Sequence, residues 1–181
     1  MKPIARLLLI GLALVNSPAI SVAAEVARLT PQTWNAFAPR GKEVDCIYGD
    51  YVLKNDQLVA VIGEPLPTRN ANLTVRSVGG MIIDLTRVDQ QRDQLSAYHP
   101  NGMQLFVNDP NIVIKVDGKP TPSSDLVSRK GRRVEWQASA RSKHGLDVTI
   151  HYSLTDGQPY LSIETLIANP SEKDISLSIS D

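Results

Sequence analysis

The chain has 181 residues, of which 42% are hydrophobic and 21% charged, and its 19 basic and 19 acidic residues give a formal net charge of zero. This balance argues against a polyanion partner such as nucleic acid. The single cysteine, Cys46, excludes an internal disulfide and any multi-cysteine metal site, and it is predicted to be a small buried residue.

The first 24 residues have the organisation of a secretory signal peptide. Their start is positively charged, residues 7–15 are almost wholly apolar, and Val22 and Ala24 occupy the small-residue positions of a cleavage site. The apolar run is far shorter than the roughly 18–20 residues that a membrane span requires. We therefore expect cleavage near Ala24/Glu25, secretion or periplasmic localisation, and no stable membrane span.

The mature chain, residues 25–181, is predicted to form a single domain that is long enough to bury a core. Its net charge is about −2, because Lys2 and Arg6 are lost with the signal peptide. One basic concentration remains, and its position beside a glycine between two predicted strands favours a solvated turn over a nucleic-acid site. It consists of Arg129, Lys130, Arg132 and Arg133.

The mature chain begins with a predicted helical turn and a predicted hairpin. Thr30 is a plausible helix cap and Pro31 suits the first helical position. Strands over residues 48–53 and 58–62 flank the polar segment 54–57, whose Asn and Asp are typical of a hairpin turn.

Strands continue to dominate the rest of the chain. Gly79-Gly80 predicts a second hairpin between strands at 73–78 and 81–85, and residues 86–98 have the one helical spacing in the chain. The remaining predicted elements are strands at 103–107, 112–116, 133–140, 146–154, 160–168 and 175–180, and a loop at 118–124.

About ten strands in regular succession, with one or two short helices, predict an all-β protein. We expect an antiparallel β-sandwich, either complete or an incomplete supersandwich. The alternation of Ile or Leu with Ser over residues 175–180 continues to the end of the sequence. This pattern indicates either a domain truncated at its C-terminus or a compact form of a leading module.

The hairpin near residue 156 has a predicted register. A two-residue turn at 156–157 pairs Tyr152 with Leu161 and Ile150 with Ile163, so apolar residues meet apolar residues. One face of this sheet is therefore expected to be apolar and buried, and the other to be polar.

The polar face is rich in side chains that can bind sugars. One interpretation is a solvated outer face, which antiparallel sheets commonly have. The other is a ligand-binding surface, because carboxylates, amides and hydroxyls bind sugar hydroxyls and an aromatic ring offers a stacking surface. The candidate ligand-binding residues are Glu135, Gln137, His151, Tyr160, Ser162 and Glu164.

No catalytic residue, metal site or cofactor is predicted. The three histidines, His99, His144 and His151, lie on different predicted segments without an HxH or HExxH spacing. No histidine lies near Cys46 in sequence, which argues against a catalytic thiol. We therefore expect a protein that is not an enzyme.

Two segments resemble known proteins. The segment DVTIHYSLTDGQPYLSIETLIANPSEKDISLSISD resembles part of the galactose-mutarotase-like supersandwich of carbohydrate-active enzymes. That resemblance implies a sugar-binding concave sheet face, but it places no catalytic histidine or glutamate in this chain. The segments RGKEVDCIYGDYVLKNDQLVAVIGEP and RNANLTVRSVGGMIIDLT resemble the leading region of large secreted bacterial proteins, some with a metallohydrolase domain.

Three functions stay open at this point. The first is a secreted, non-catalytic β-sandwich module that binds carbohydrate or an envelope protein. The second is the N-terminal fragment of a carbohydrate-active enzyme or secreted hydrolase that lacks its catalytic part. The third is a purely structural envelope domain.

Overall fold

The structure, a computed structural model, describes residues 23–41, 44–90, 95–99, 111–142 and 145–178. The chain is nearly all β, with 43% strand and 5% helix, and it forms two antiparallel sheets of five strands each. The predicted class, an all-β antiparallel sandwich, is confirmed.

The strands are numbered in chain order. They are β1 (Ala24–Arg28), β2 (Tyr51–Lys54), β3 (Leu58–Ile62), β4 (Ile82–Arg87), β5 (Asn111–Val116), β6 (Lys119–Thr121), β7 (Ser128–Gly131), β8 (Arg133–Arg141), β9 (Asp147–Thr155) and β10 (Ser162–Ala168). Sheet A has the order β4-β3-β2-β1-β7 and sheet B the order β10-β9-β8-β5-β6. The helix α1 (Trp34–Phe37) follows β1, and a 3-10 turn (Ser123–Asp125) precedes β7.

An aromatic layer joins the two sheets at the centre of the core. The ring of Trp136 in β8 lies 5.5 Å from that of Tyr152 in β9 and 6.0 Å from that of Tyr51 in β2. All three side chains are buried. The hydroxyl of Tyr152 donates to the backbone oxygen of Gly80 at 3.0 Å, so the polar end of this buried ring is satisfied.

The predicted hairpin between β2 and β3 is confirmed, and Asn55 organises its turn. The side-chain oxygen of Asn55 accepts the backbone N–H groups of Gln57 and Leu58, each at 2.8 Å. Its amide nitrogen donates to the backbone oxygens of Thr155 and Gln158 at 2.8 and 2.9 Å. A single buried asparagine therefore closes one hairpin and ties it to the end of β9.

The predicted register of the hairpin between β9 and β10 is wrong by two residues. Tyr152 pairs with Ile163 rather than with Leu161, because residues 156–161 form the connection instead of a two-residue turn. Asn55 holds the carbonyl groups at the start of that connection. A shift of two residues keeps every side chain on its face, so the predicted division into apolar and polar faces survives.

The predicted second hairpin is also wrong, because residues 73–78 form a loop and β4 pairs with β3. The loop folds around side-chain amides: the Oδ1 atom of Asn72 accepts the backbone N–H groups of Thr74 and Val75 at 3.0 and 2.9 Å. Asparagine side chains compete in this way with strand pairing for backbone donors. The apolar spacing of the segment did not reveal that competition.

The predicted helix over residues 86–98 is wrong in its described parts. Its first two residues belong to β4, residues 88–90 form a bend, and residues 95–99 are not helical. Tyr98 forms an isolated antiparallel bridge with Ile82. Residues 91–94 and the predicted strand at 103–107 lie outside the described residues.

Strands occupy two segments that were predicted to be a loop and a turn. The predicted loop at 118–124 contains β6, which pairs with β5, and the start of the 3-10 turn. Arg129 and Lys130 of the predicted basic turn lie in β7, which pairs with β1 at the edge of sheet A. Both side chains are exposed, and charged side chains discourage further pairing at a sheet edge.

The two ends of the domain differ from prediction in detail. The predicted helical turn is present, but α1 begins at Trp34, whose N–H donates to the oxygen of Thr30 at 2.9 Å. The predicted strand at 175–180 is wrong over residues 175–178, which are not in a strand, and its last two residues lie outside the described residues. Tyr160 also lies outside β10, which begins at Ser162.

Candidate functional site

Part of the outer side of sheet B is polar. Successive side chains of a strand point to opposite sides, so alternate residues of β8, β9 and β10 face away from the core. Pairing aligns these residues in rows across the three strands. The rows are Glu135–Ser153–Ser162 and Gln137–His151–Glu164, and these six residues are the polar face. Strand spacing and rise give this face dimensions of roughly 10 by 7 Å.

His151 lies between two carboxylates on the polar face. Its Nε2 atom is 2.8 Å from Glu135 Oε2, a hydrogen bond in which the ring nitrogen donates and the ionised carboxylate accepts. Its Nδ1 atom is 3.5 Å from Glu164 Oε2, an ion-pair distance when the ring is protonated. The exposed fractions are 17% for His151, 13% for Glu135 and 63% for Glu164. The cluster is thus anchored at Glu135 and open at Glu164.

Arg133 places a positive charge beside this cluster. Its Nε atom lies 3.3 Å from Glu135 Oε1, and one terminal nitrogen donates to the hydroxyl of Ser153 at 3.0 Å. Glu135 therefore has a partner on each oxygen. Arg133 beside the polar face and His151 on it offer hydrogen-bond donors, and both carboxylates offer acceptors, within reach of one small ligand.

The structure brings together five of the six predicted site residues. Glu135, Gln137, His151, Ser162 and Glu164 lie on the polar face, as the parity argument required. Tyr160 lies in the connection before β10, is 53% exposed, and has its hydroxyl 3.0 Å from Gln158 Nε2. Tyr160, the predicted aromatic surface, therefore lies outside the paired strands that form the polar face.

Cys46 takes no part in the polar face. Its side chain is buried, and burial, with smaller contributions from the Asp84 and Asp50 charges, raises the pKa of its thiol to about 12. The neutral thiol is thus the form present at physiological pH, and it is a poor nucleophile. The predicted role of a small buried residue agrees with this environment.

Sequence reasoning missed a groove that lies away from the polar face. Arg28, Tyr48, Glu64 and Asp125 contribute to its lining, and they come from four separate segments of the chain. No local spacing connects these residues, so no sequence motif could have assembled them. The described ranges contain no group of three or more His, Cys, Asp or Glu side chains arranged to hold a metal ion.

The fold and the polar face define an all-β sandwich with a polar outer sheet face. No protein-family model, no curated protein and no solved structure matches the chain. The resemblance to the galactose-mutarotase-like supersandwich therefore stays a prediction. In the part of the chain that the structure describes, no helix is long and apolar enough to cross a membrane.

Proposed function

We propose that the folded domain is a non-catalytic saccharide-binding module of the cell envelope and that it binds saccharide on the polar face. One observation carries this proposal. His151 lies between Glu135 and Glu164 of the two neighbouring strands, at 2.8 Å and 3.5 Å, so hydrogen-bonding groups of three strands are gathered before any ligand arrives. Groups held in this way lose less conformational entropy on binding.

The chemistry of the polar face suits a neutral sugar. Carboxylate oxygens accept hydrogen bonds from hydroxyl groups, and the amide of Gln137 both donates and accepts. The guanidinium of Arg133 lies 3.3 Å from Glu135 and offsets its charge, so the face does not require a charged ligand. An open sheet face removes little of a ligand from water, and we expect millimolar affinity, about −4 kcal/mol.

A glycan array followed by titration against neutral envelope polysaccharides tests this surface. We expect the Glu135→Ala/Glu164→Ala variant to bind at least about tenfold more weakly, a loss of about 1.4 kcal/mol, because both acceptors leave the cluster. Asp147→Ala is the matched control. Asp147 is an exposed acid on β9, on the same side of the sheet, and it is paired with Arg141 at 2.9 Å. It lies four residues before His151, which is about 13 Å along an extended strand.

Two results would count against the polar face. Equal binding by the wild-type protein and the double variant would remove it as the binding surface. An absence of binding to any glycan would favour the structural domain or the fragment of an enzyme instead. Circular dichroism of both variants separates lost binding from lost folding.

We also propose that the chain is exported and cleaved before Glu25. Ala24 is the first residue of β1 and is completely buried, with Gly131 as its strand partner. A signal peptidase needs this bond extended and accessible, so cleavage has to precede the folding of β1. We expect N-terminal sequencing of exported protein to begin at Glu25, within a residue or two. Exported material that retains Met1 would contradict export by cleavage.

The order of cleavage and folding has its own control. Full-length precursor that has been refolded in vitro is expected to resist signal peptidase, because its scissile bond lies inside sheet A. The same precursor is expected to be cleaved when it is kept unfolded at a denaturant concentration at which the peptidase is still active, or when it is captured during synthesis. Equal cleavage of folded and unfolded precursor would show that β1 does not start at Ala24.

A further inference from the structure

A groove of about 490 Å³ opens where β1 ends and the chain leaves sheet A. This volume lies within the range of small-molecule sites. The groove is bounded by residues 28–31, the turn at Tyr48 and Gly49, Glu64, and residues 124–127. We propose that this groove is a second binding site, which takes one residue of a neutral saccharide. The ligand class rests on the function proposed above, whereas the site is separate from the polar face.

An ion pair at the groove supplies both a donor and an acceptor. The guanidinium of Arg28 contacts the carboxylate of Glu64 and donates from Nε to the backbone oxygen of Gly49 at 3.3 Å. The Arg28 side chain is 34% exposed and that of Glu64 23%, so both remain accessible. The contacts with Glu64 and Gly49 use two of the five guanidinium N–H groups. Two adjacent hydroxyls of a sugar can therefore accept from Arg28 and donate to Glu64.

The carboxylate of Glu64 occupies space that is available because Gly49 has no side chain. Its φ of +103° is a conformation that other residues rarely adopt, and an added Cβ atom would lie 2.3 Å from Glu64 Oε2. The backbone N–H of Glu64 also donates to the buried carboxylate of Asp50 at 2.8 Å. Glu64 is thus fixed from its backbone and given room at its carboxylate, as a preformed binding group requires.

Tyr48 gives the groove an exposed aromatic wall. Its side chain is 56% exposed, and its ring meets that of Trp34 edge-on, with centroids 5.1 Å apart and an interplanar angle of 83°. This contact orients the Tyr48 ring without covering it fully. An apolar residue, Val127, is 54% exposed and also lines the groove. The C–H groups of a sugar ring can pack on these apolar surfaces.

Charge selects a neutral ligand over an acidic one. The charges of Arg28 and Glu64 offset each other at contact distance. Asp125, an exposed carboxylate that also lines the groove, leaves it with a net charge of about −1. A uronic acid would bring a second unpaired negative charge to this groove, whereas the corresponding neutral sugar would not.

Trp34 provides a reporter for the groove, because it touches Tyr48 while the other tryptophan, Trp136, is buried in the core. The probes are glucose, galactose, mannose, N-acetylglucosamine and their β-linked disaccharides, titrated into the mature protein. We expect a saturable change in tryptophan emission with at least one probe, absent in Trp34→Phe. Tyr48→Ala should weaken binding at least tenfold and Tyr48→Phe should retain it. Leu73→Ala, which removes an exposed apolar side chain that does not line the groove, should have no effect.

The results separate the two sites. Loss of array binding in the Glu135→Ala/Glu164→Ala variant without any Trp34 response would overturn the groove and leave the proposed function standing. A Trp34 response that Tyr48→Ala removes and the double variant does not would support the groove even if the polar face fails. Unchanged affinity in Tyr48→Ala, or glucuronate bound as tightly as glucose, would overturn the groove as a neutral-saccharide site.

Discussion

Replacing Asp50 by alanine is expected to destabilise the domain by about 3–5 kcal/mol, because it leaves the guanidinium of Arg69 buried without its counter-charge. The Asp50 side chain is fully buried and that of Arg69 is 3% exposed. Two hydrogen bonds join them, at 2.9 Å from Arg69 Nε and 2.6 Å from a terminal nitrogen. Removing one partner of a buried ion pair lowers the stability of the fold far more than removing one partner of an exposed pair.

Asp50 also holds the backbone of neighbouring segments. Its carboxylate accepts the N–H groups of Ile47 and Glu64, each at 2.8 Å, and Arg69 donates in turn to the backbone oxygen of Asp45 at 2.8 Å. The pair therefore connects the turn before β2 with the segment after β3. Because Tyr48 and Glu64 belong to these segments, Asp50→Ala should also remove saccharide binding in the groove.

Chemical denaturation followed by circular dichroism measures this loss, with Asp89→Ala as the matched control. Asp89 pairs with Arg87 at 2.8 Å, but the two side chains are 60% and 62% exposed. Water screens such a pair, so its removal should barely change the midpoint of unfolding. Similar shifts for the two variants would mean that the Asp50–Arg69 pair is not buried as described.

The alternation of side chains made the polar face predictable from sequence. Glu135, His151 and Glu164 were assigned to one side by parity alone, and parity is unchanged by a register shift of two residues. Their mutual contacts were not predicted. The pairing of His151 with Glu164 depends on the length of the connection between β9 and β10, which Asn55 controls from another hairpin.

Local signals also explain which elements were missed. The hairpin at Asn55 was predicted because its turn chemistry and its flanking strands agree. Residues 73–78 have strand-like spacing, but the N–H groups of Thr74 and Val75 donate to the side chain of Asn72 instead of to a neighbouring strand. The apolar spacing does not show which of these hydrogen bonds is the more stable. The short strands β6 and β7 form because each pairs with the free backbone groups of a neighbouring strand, β5 or β1. Their own sequences do not show that such a neighbour will be present.

The groove and the buried ion pair lay beyond sequence reasoning for a further reason. Arg28 and Glu64 are 36 residues apart, and Asp50 and Arg69 are 19 apart. A charged residue in a loop is most often exposed, and nothing local marks the ones that become paired. Only the packing of the loops at the end of sheet A brings these charges together.

Trp136→Ala is expected to destabilise the domain by about 3–5 kcal/mol, through lost burial and the cavity left behind. Trp136 is completely buried and stacks on Tyr152, with an interplanar angle of 25° and centroids 5.5 Å apart. The ring of Tyr51 reaches it from sheet A. The side chain therefore fills space between the two sheets.

Trp136→Phe separates volume from polarity at the same position. The indole Nε1 atom is buried and has no hydrogen-bond partner among the described residues, so tryptophan carries a desolvation cost that phenylalanine does not. We expect Trp136→Phe to cost much less than Trp136→Ala. Gln137→Ala, the next residue on the opposite side of β8, should change stability by no more than about 0.5 kcal/mol. If Gln137→Ala lowered the free energy of unfolding as much as Trp136→Ala, the assignment of the buried and exposed faces of sheet B would be wrong. The proposed saccharide surface would then be wrong as well.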